Sequence, residues 1–71
     1  MYIKNRVREL RTANKLTQEE LASKVNVTRQ TIAAIEKQDY APSLLLGLLI
    51  CRVFKVEMGE LFWLGGENDD E

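Results

Sequence analysis

Apolar residues recur along the chain at spacings of three and four, and the polar residues that separate one run from the next are helix-capping types. The first run puts Ile3, Val7, Leu10, Arg11 and Asn14 on one stripe, with Asn5 able to cap its start and Asn14-Lys15 breaking it. Asn tolerates a left-handed cap better than any residue but glycine, so the exit is expected at Asn14. Thr17-Gln18-Glu19-Glu20 has the form of a capping box and opens a second helix that buries Leu21, Ala22 and Val25 and ends at Asn26. Thr28 caps a third, running to about Gln38, with Ile32, Ile35 and Glu36 on its inner side. After the turn Asp39-Tyr40-Ala41-Pro42, Pro42 suits the first position of a fourth helix reaching about Phe54, and a short fifth follows near residues 57–61. Strand signal is confined to Tyr2-Ile3-Lys4 and Phe62-Trp63-Leu64, which can pair as a two-stranded ribbon between the termini if something packs beneath it. The expected fold class is all-α: a compact five-helix domain over residues 1–66, followed by an acidic disordered tail over 67–71.

Residues 18–37 carry the most specific pattern. Counted from Gln18, small or apolar residues stand at the fourth, fifth, eighth, tenth, fifteenth and eighteenth positions (Leu21, Ala22, Val25, Val27, Ile32, Ile35), and the ninth is Asn26. Two helices crossing steeply after a short turn need a small residue where they touch, which is Ala22, and a left-handed backbone at the turn, which Asn26 tolerates. Ile32 and Ile35 must face inward for the opposite side of the third helix to stay free. This is the helix-turn-helix pattern, spanning residues 17–38.

Residues 4–64 resemble the Cro/cI, XRE-type family of phage-repressor-like transcriptional regulators. The likeness rests on Arg11, the run Leu16-Thr17-Gln18-Glu19-Glu20-Leu21-Ala22, the run Val27-Thr28-Arg29-Gln30-Thr31-Ile32, Ile35-Glu36, and Tyr40-x-Pro42-Ser43-Leu44. It implies a lambda-repressor-like bundle of about five helices in which the second and third bind DNA. Independently of it, the third helix exposes Arg29, Ala33 and Lys37 along one line, with Gln30 and Ala34 beside it. Arg pairs bidentately with guanine and Gln with adenine, each worth about 1–3 kcal/mol of discrimination, and two alanines let a helix sit deep in the major groove. The same residues are also compatible with an ordinary polar helix face. The resemblance assigns base reading to Arg29, Gln30 and Ala34, a backbone and base-edge contact to Thr28, and a phosphate to Gln18 at the start of the second helix, where amides and dipole favour an anion. Tyr40 and Ser43 can give hydroxyls to phosphate, or Tyr40 can pack over its turn.

Arg11 and Glu36 both fall on inward faces, where an unpaired charge is costly, and are expected to pair with each other, as the resemblance also implies. Three positions depart from the family's habit: Lys15 where Gly is frequent (so the exit of the first helix must use Asn14 or accept some strain), Ala41 where an Asn cap is common (leaving Ser43 or no cap), and Gln38-Asp39 where glycine or basic residues are frequent.

Composition changes this picture in two ways. The formal net charge of −1 and pI near 5.4 argue against a polyanion binder, but the charges are segregated. Residues 1–40 balance at +3 and residues 41–71 at −4, with four acids (Glu67, Asp69, Asp70, Glu71) after Gly65-Gly66. The second change is an apolar surplus in the fourth helix. Leu44, Leu48 and Cys51, with Leu46, Ile50, Val53 and Phe54, suffice for the core, so Leu45, Leu49 and Arg52 remain on the other side. With Phe62, Trp63 and Leu64 they are expected to build an isologous homodimer interface.

With no histidine and a single cysteine, Cys51, inside an apolar run, no catalytic set, disulfide framework or metal site can be assembled, and no cofactor or small-molecule ligand is expected. The longest apolar run, residues 44–51, is too short for a bilayer, and no secretory signal precedes it, so a cytoplasmic setting is expected. The function that follows is a sequence-specific transcriptional regulator, repressing by family analogy, that binds a palindromic operator as a homodimer with the third helix (about 28–38) in the major groove. The alternative is an antitoxin or interaction module working through the leucine surface.

Overall fold

A computed structural model describes residues 2–66; the acidic tail expected over 67–71 lies outside the described residues. The chain runs β1 (Tyr2–Asn5), α1 (Val7–Ala13), α2 (Gln18–Lys24), α3 (Arg29–Glu36), α4 (Leu44–Phe54), α5 (Met58–Leu61) and β2 (Phe62–Gly65). The five helices and the terminal ribbon are those the sequence implied. β1 and β2 pair antiparallel, Tyr2 opposite Gly65 and Asn5 opposite Phe62. Ile3 therefore belongs to a strand, not to the stripe of the first helix.

Each helix start has a local chemical cause. At α2 the Thr17 hydroxyl accepts from the Glu20 amide at 3.0 Å, and the Glu20 carboxylate accepts from the Thr17 amide at 2.8 Å. Thr28 accepts from the Thr31 amide at α3, and Ser43 from the Leu46 amide at α4. Because Ser43 supplies that cap, α4 begins at Leu44, and Pro42 stands ahead of the cap instead of at the first helical position. α3 likewise closes earlier than expected, at Glu36, since Gln38 is already left-handed.

The helix ends share an unusual feature. α1, α2, α3 and α4 are each followed by a left-handed residue, and none is glycine: Lys15 (φ 60°), Asn26 (φ 61°), Gln38 (φ 65°) and Lys55 (φ 59°). At the first of these the exit takes the second of the two expected courses: Asn14 stays right-handed at φ −93°, and Lys15 accepts the strained conformation. The Asn14 amide group is instead spent on the Leu10 carbonyl, 2.7 Å away.

The core gathers Val7, Leu21, Ala22, Val25, Ile32, Ile35, Leu46, Ile50, Cys51, Phe54 and Leu61. α4 turns Leu46, Gly47, Ile50, Cys51 and Phe54 inward, which corrects the expected core face: Leu44 is 72% exposed and Leu48 50%. The inward direction is fixed by Gly47, where a β-carbon would lie 3.3 Å from the Met58 methyl and 3.5 Å from the Phe62 ring. α5 and β2 approach α4 most closely there, so Leu44 and Leu48 fall to the side.

The N-cap of α1 is Arg6, which makes no side-chain cap, and the start of the helix is served instead by Asn5, one residue ahead of it. Its carboxamide oxygen accepts from the Val7 amide at 3.0 Å, and its NH2 group donates to the Ile35 carbonyl at 2.9 Å. One side chain thus ties the end of β1 to the start of α1 and the last turn of α3, while the Arg6 amide donates to the Leu61 carbonyl. Asn5→Ala is expected to cost about 1–2 kcal/mol of stability by losing both bonds. Lys55→Gly is expected to add about 1 kcal/mol by relieving the left-handed penalty. Thermal melts check both, at about 4–8 °C of Tm per kcal/mol for a domain of this size.

Candidate nucleic-acid interface

α2 and α3 meet through Leu21, Ala22 and Val25 on one side and Ile32 and Ile35 on the other, all buried. Ala22 permits the close crossing, and its carbonyl accepts from the Val27 amide at 3.0 Å, folding the turn through left-handed Asn26 back onto α2. With one side of α3 so anchored, the opposite side is presented outward. Arg29 and Gln30 are exposed on its first turn, Ala33 and Ala34 are half-buried beside them, and Lys37 is exposed at its C-cap. Thr28, exposed at the N-cap, shares a hydroxyl hydrogen bond with Thr31 at 3.1 Å.

Beneath this surface lies a connected set of polar side chains. Arg11 of α1 donates from Nε to Glu36 Oε2 at 2.7 Å and from Nη2 to Oε1 at 3.3 Å, while Nη1 donates to the Leu16 carbonyl at 2.8 Å. The two side chains are only 12% and 5% exposed, so the pair is largely withdrawn from water. Gln18 of α2 donates from Nε2 to Glu36 Oε1 at 3.0 Å, and its Oε1 accepts from Arg29 Nη1 at 3.2 Å. The Gln18 amide is thus engaged within the protein, and the first turn of α2 already carries the carboxylates of Glu19 and Glu20 against its dipole.

Arg8, Arg11, Gln18, Ala33, Glu36 and Lys37 border one crevice of about 260 Å³ at the α1–α3 edge. Arg8 is a member that sequence reasoning passed over. Its signal was the spacing to Arg11, three residues on, which puts both side chains on neighbouring positions of α1.

The remaining predicted residues divide. Tyr40 is exposed and borders a depression with Tyr2, Asp39, Ala41 and Leu64, at the far end of α3 from Arg29. Ser43 is exposed, its hydroxyl oxygen engaged as the cap of α4. Leu45 and Arg52 are exposed on α4, whereas Leu49 is half-buried against the core. The pleat of β2 separates the three ribbon residues, with Phe62 and Leu64 on the side of Ile3 and Trp63 on the other. The Arg6 guanidinium stands over the Trp63 ring, 5.2 Å from its centroid. Cys51 is buried against Met58, and burial, then Glu57 and Glu60, push its thiol above the usual range, the opposite of what a redox-sensing thiolate needs. Among the described residues no helix is long and apolar enough to cross a membrane.

A family model described as Helix-turn-helix matches residues 7–61. The chain is similar to YgzD of Bacillus subtilis strain 168, an uncharacterized HTH-type transcriptional regulator, with 56% identity over 93% of this chain and 100% of that one. An uncharacterized HTH-type transcriptional regulator of Archaeoglobus fulgidus is 48% identical over 93% of this chain and 94% of its own length. Among solved structures, the restriction-modification controller protein C.AhdI of Aeromonas hydrophila superposes with a TM-score of 0.72 at 34% identity, covering 78% of this chain and 83% of that one.

Removing one member of the buried pair strands the other. Glu36→Ala is expected to cost about 3 kcal/mol, read from denaturant unfolding, since the Arg11 guanidinium then stays desolvated with only the Leu16 carbonyl as a partner.

Proposed function

The chain belongs to the helix-turn-helix family of DNA-binding transcriptional regulators, and from that membership we propose that it acts in the cytoplasm as a homodimeric repressor of a palindromic operator. The observation that carries this reading is the division of α3 into an inner side held by buried Ile32 and Ile35 and an outer side on which Arg29, Gln30 and Lys37 are exposed around two half-buried alanines. In this reading Arg29 and Gln30 pair with base edges, Ala33 and Ala34 let the helix approach the groove floor, and Thr28, Lys37, Tyr40 and Ser43 take the flanking backbone. Arg8, across the crevice from Lys37, adds a second cation for phosphate.

Support for dimerisation comes from α4 and β2. Leu44 and Leu48 join Leu45 as exposed apolar side chains on α4, and Leu64 is exposed beside them on β2. Leu44 and Leu64 border an open groove of about 380 Å³ floored by Gly47, Met58 and Phe62. An apolar surface of this kind on so small a domain calls for a partner, and a second copy seated about a two-fold axis covers both surfaces at once. Two copies of α3 then enter successive major grooves about 34 Å apart. Occupancy of a site overlapping a promoter excludes polymerase. The likeness to a restriction-modification controller favours a regulatory role of the same kind.

Selection of bound sequences from random DNA tests the reading as a whole: two inverted half-sites spaced by about one helical turn are expected, and a single asymmetric site or no enrichment overturns it. Arg29→Ala is expected to relax preference at one position per half-site, at about 1–3 kcal/mol, with binding still falling steeply with salt. Leu45→Glu is expected to give a folded monomer in sedimentation that has lost most of its operator affinity.

A further inference from the structure

The exposed residues of α4 are Leu44, Leu45, Leu48 and Arg52, and at about 3.6 residues per turn they fall on one stripe about 100° wide. The stripe is apolar where the helix begins and ends in a cation. Among the described residues Arg52 has no ion-pair or side-chain hydrogen-bond partner, and neither has Asp39, exposed in the turn ahead of α4. Asp39 borders the depression it shares with Tyr2, Tyr40 and Leu64, and Leu64 also borders the apolar groove beside Leu44. The unpaired carboxylate is therefore continuous with the leucine surface. Its natural counter-charge stands at the far end of the same helix, about 12 Å from Leu44, so the two do not meet within one copy.

We propose that two copies of the chain pair with their α4 helices antiparallel, so that Arg52 of each copy meets Asp39 of the other. The inference rests on the homodimer reading and fixes its register. A two-fold axis that matches leucine to leucine sets Leu45 of one copy against Leu48 of the other, and so passes between residues 46 and 47. Arg52 then lies about 8 Å along the helix from the axis, whereas the facing helix begins at Leu44, only about 4 Å out. The guanidinium thus overshoots the start of the facing helix and arrives at the turn that carries Asp39. A cation brought to a helix N-terminus meets the positive end of its dipole, and α4 has no acid in its first turn to offset that. Asp39 supplies the missing charge, and the Tyr2 and Tyr40 rings at the same depression suit a planar guanidinium. A parallel pairing would instead set Arg52 beside Arg52 and Asp39 beside Asp39, so the charges select the antiparallel one.

Charge reversal tests this without DNA. Asp39→Arg and Arg52→Asp are followed by sedimentation equilibrium at low salt, each alone, mixed in equal amounts, and combined in one chain. Because the two-fold axis repeats every contact, either reversal alone sets like charges at two places and is expected to weaken association at least tenfold. The mixture restores opposite charges only if position 39 of one copy meets position 52 of the other. It is expected to associate within about threefold of the wild type, as is the combined variant, and added salt is expected to narrow the gap between wild type and single variants. Should a reversal unfold the chain, the milder Asp39→Asn and Arg52→Gln decide instead: their losses are expected to be coupled, and additive losses overturn the proposal. A wild-type dimer whose single variants associate as tightly, or a mixture no tighter than its components, overturns this inference and leaves the homodimer reading standing. A wild-type chain that stays monomeric overturns both.

Discussion

Two opposite charges withdrawn from water between α1 and α3 govern how the rest of the molecule is set. Arg11 and Glu36 recover their hydration through two hydrogen bonds to each other, one to the Leu16 carbonyl and one from Gln18. A pair of this kind adds little net stability over a packed apolar pair, because desolvation offsets most of the attraction. What it supplies is direction. Hydrophobic contacts among Val7, Leu21, Ile32 and Ile35 tolerate a helix sliding or turning by a fraction of a residue, whereas a bidentate fork does not. The Asn5 bond to the Ile35 carbonyl falls on the same turn of α3, so both contacts hold the last turn of the helix whose first turn carries exposed Arg29 and Gln30.

The other large surface feature is apolar. α4 is hydrophobic around most of its circumference, and only one side of it can be covered by α5, β2 and the α2–α3 pair. The polar network lies against α3 and the exposed leucines on α4 and β2, and the two surfaces adjoin near residues 40–44, where Tyr40 shares a depression with Leu64 and Ser43 lines the groove with Leu44.

Much of this was legible in the residues. Capping chemistry at Thr17 and Thr28 and the small residue at Ala22 were enough to locate α2, α3 and the turn between them, because those determinants act within a few residues of themselves. Errors arose where a distant partner decided. Leu44 and Leu48 looked like core by periodicity, since nothing local reveals that Met58 and Phe62 converge on Gly47 and fix the rotation of α4. Asn5 looked like a simple cap because its second partner, Ile35, lies thirty positions away. At the exit of α1 intrinsic preference favoured Asn14, with strain at Lys15 as the other course; the Asn14 carboxamide is bonded to the Leu10 carbonyl and Lys15 takes the left-handed backbone. The Gln18 bonds were invisible for a related reason: propensity says where a side chain sits, not whether it is already occupied.

The pairing of Tyr2 with Gly65 joins the first described residue of the chain to nearly the last. During synthesis β1 emerges before every helix and has no strand to pair with until α5 has been made, at about 5–20 residues per second. α2 and α3 are neighbours in sequence, and contacts at that short separation close early. The groove between α4 and the ribbon likewise gains its second wall only when β2 has been made, so the last four-residue strand finishes both the ribbon and the apolar groove at once.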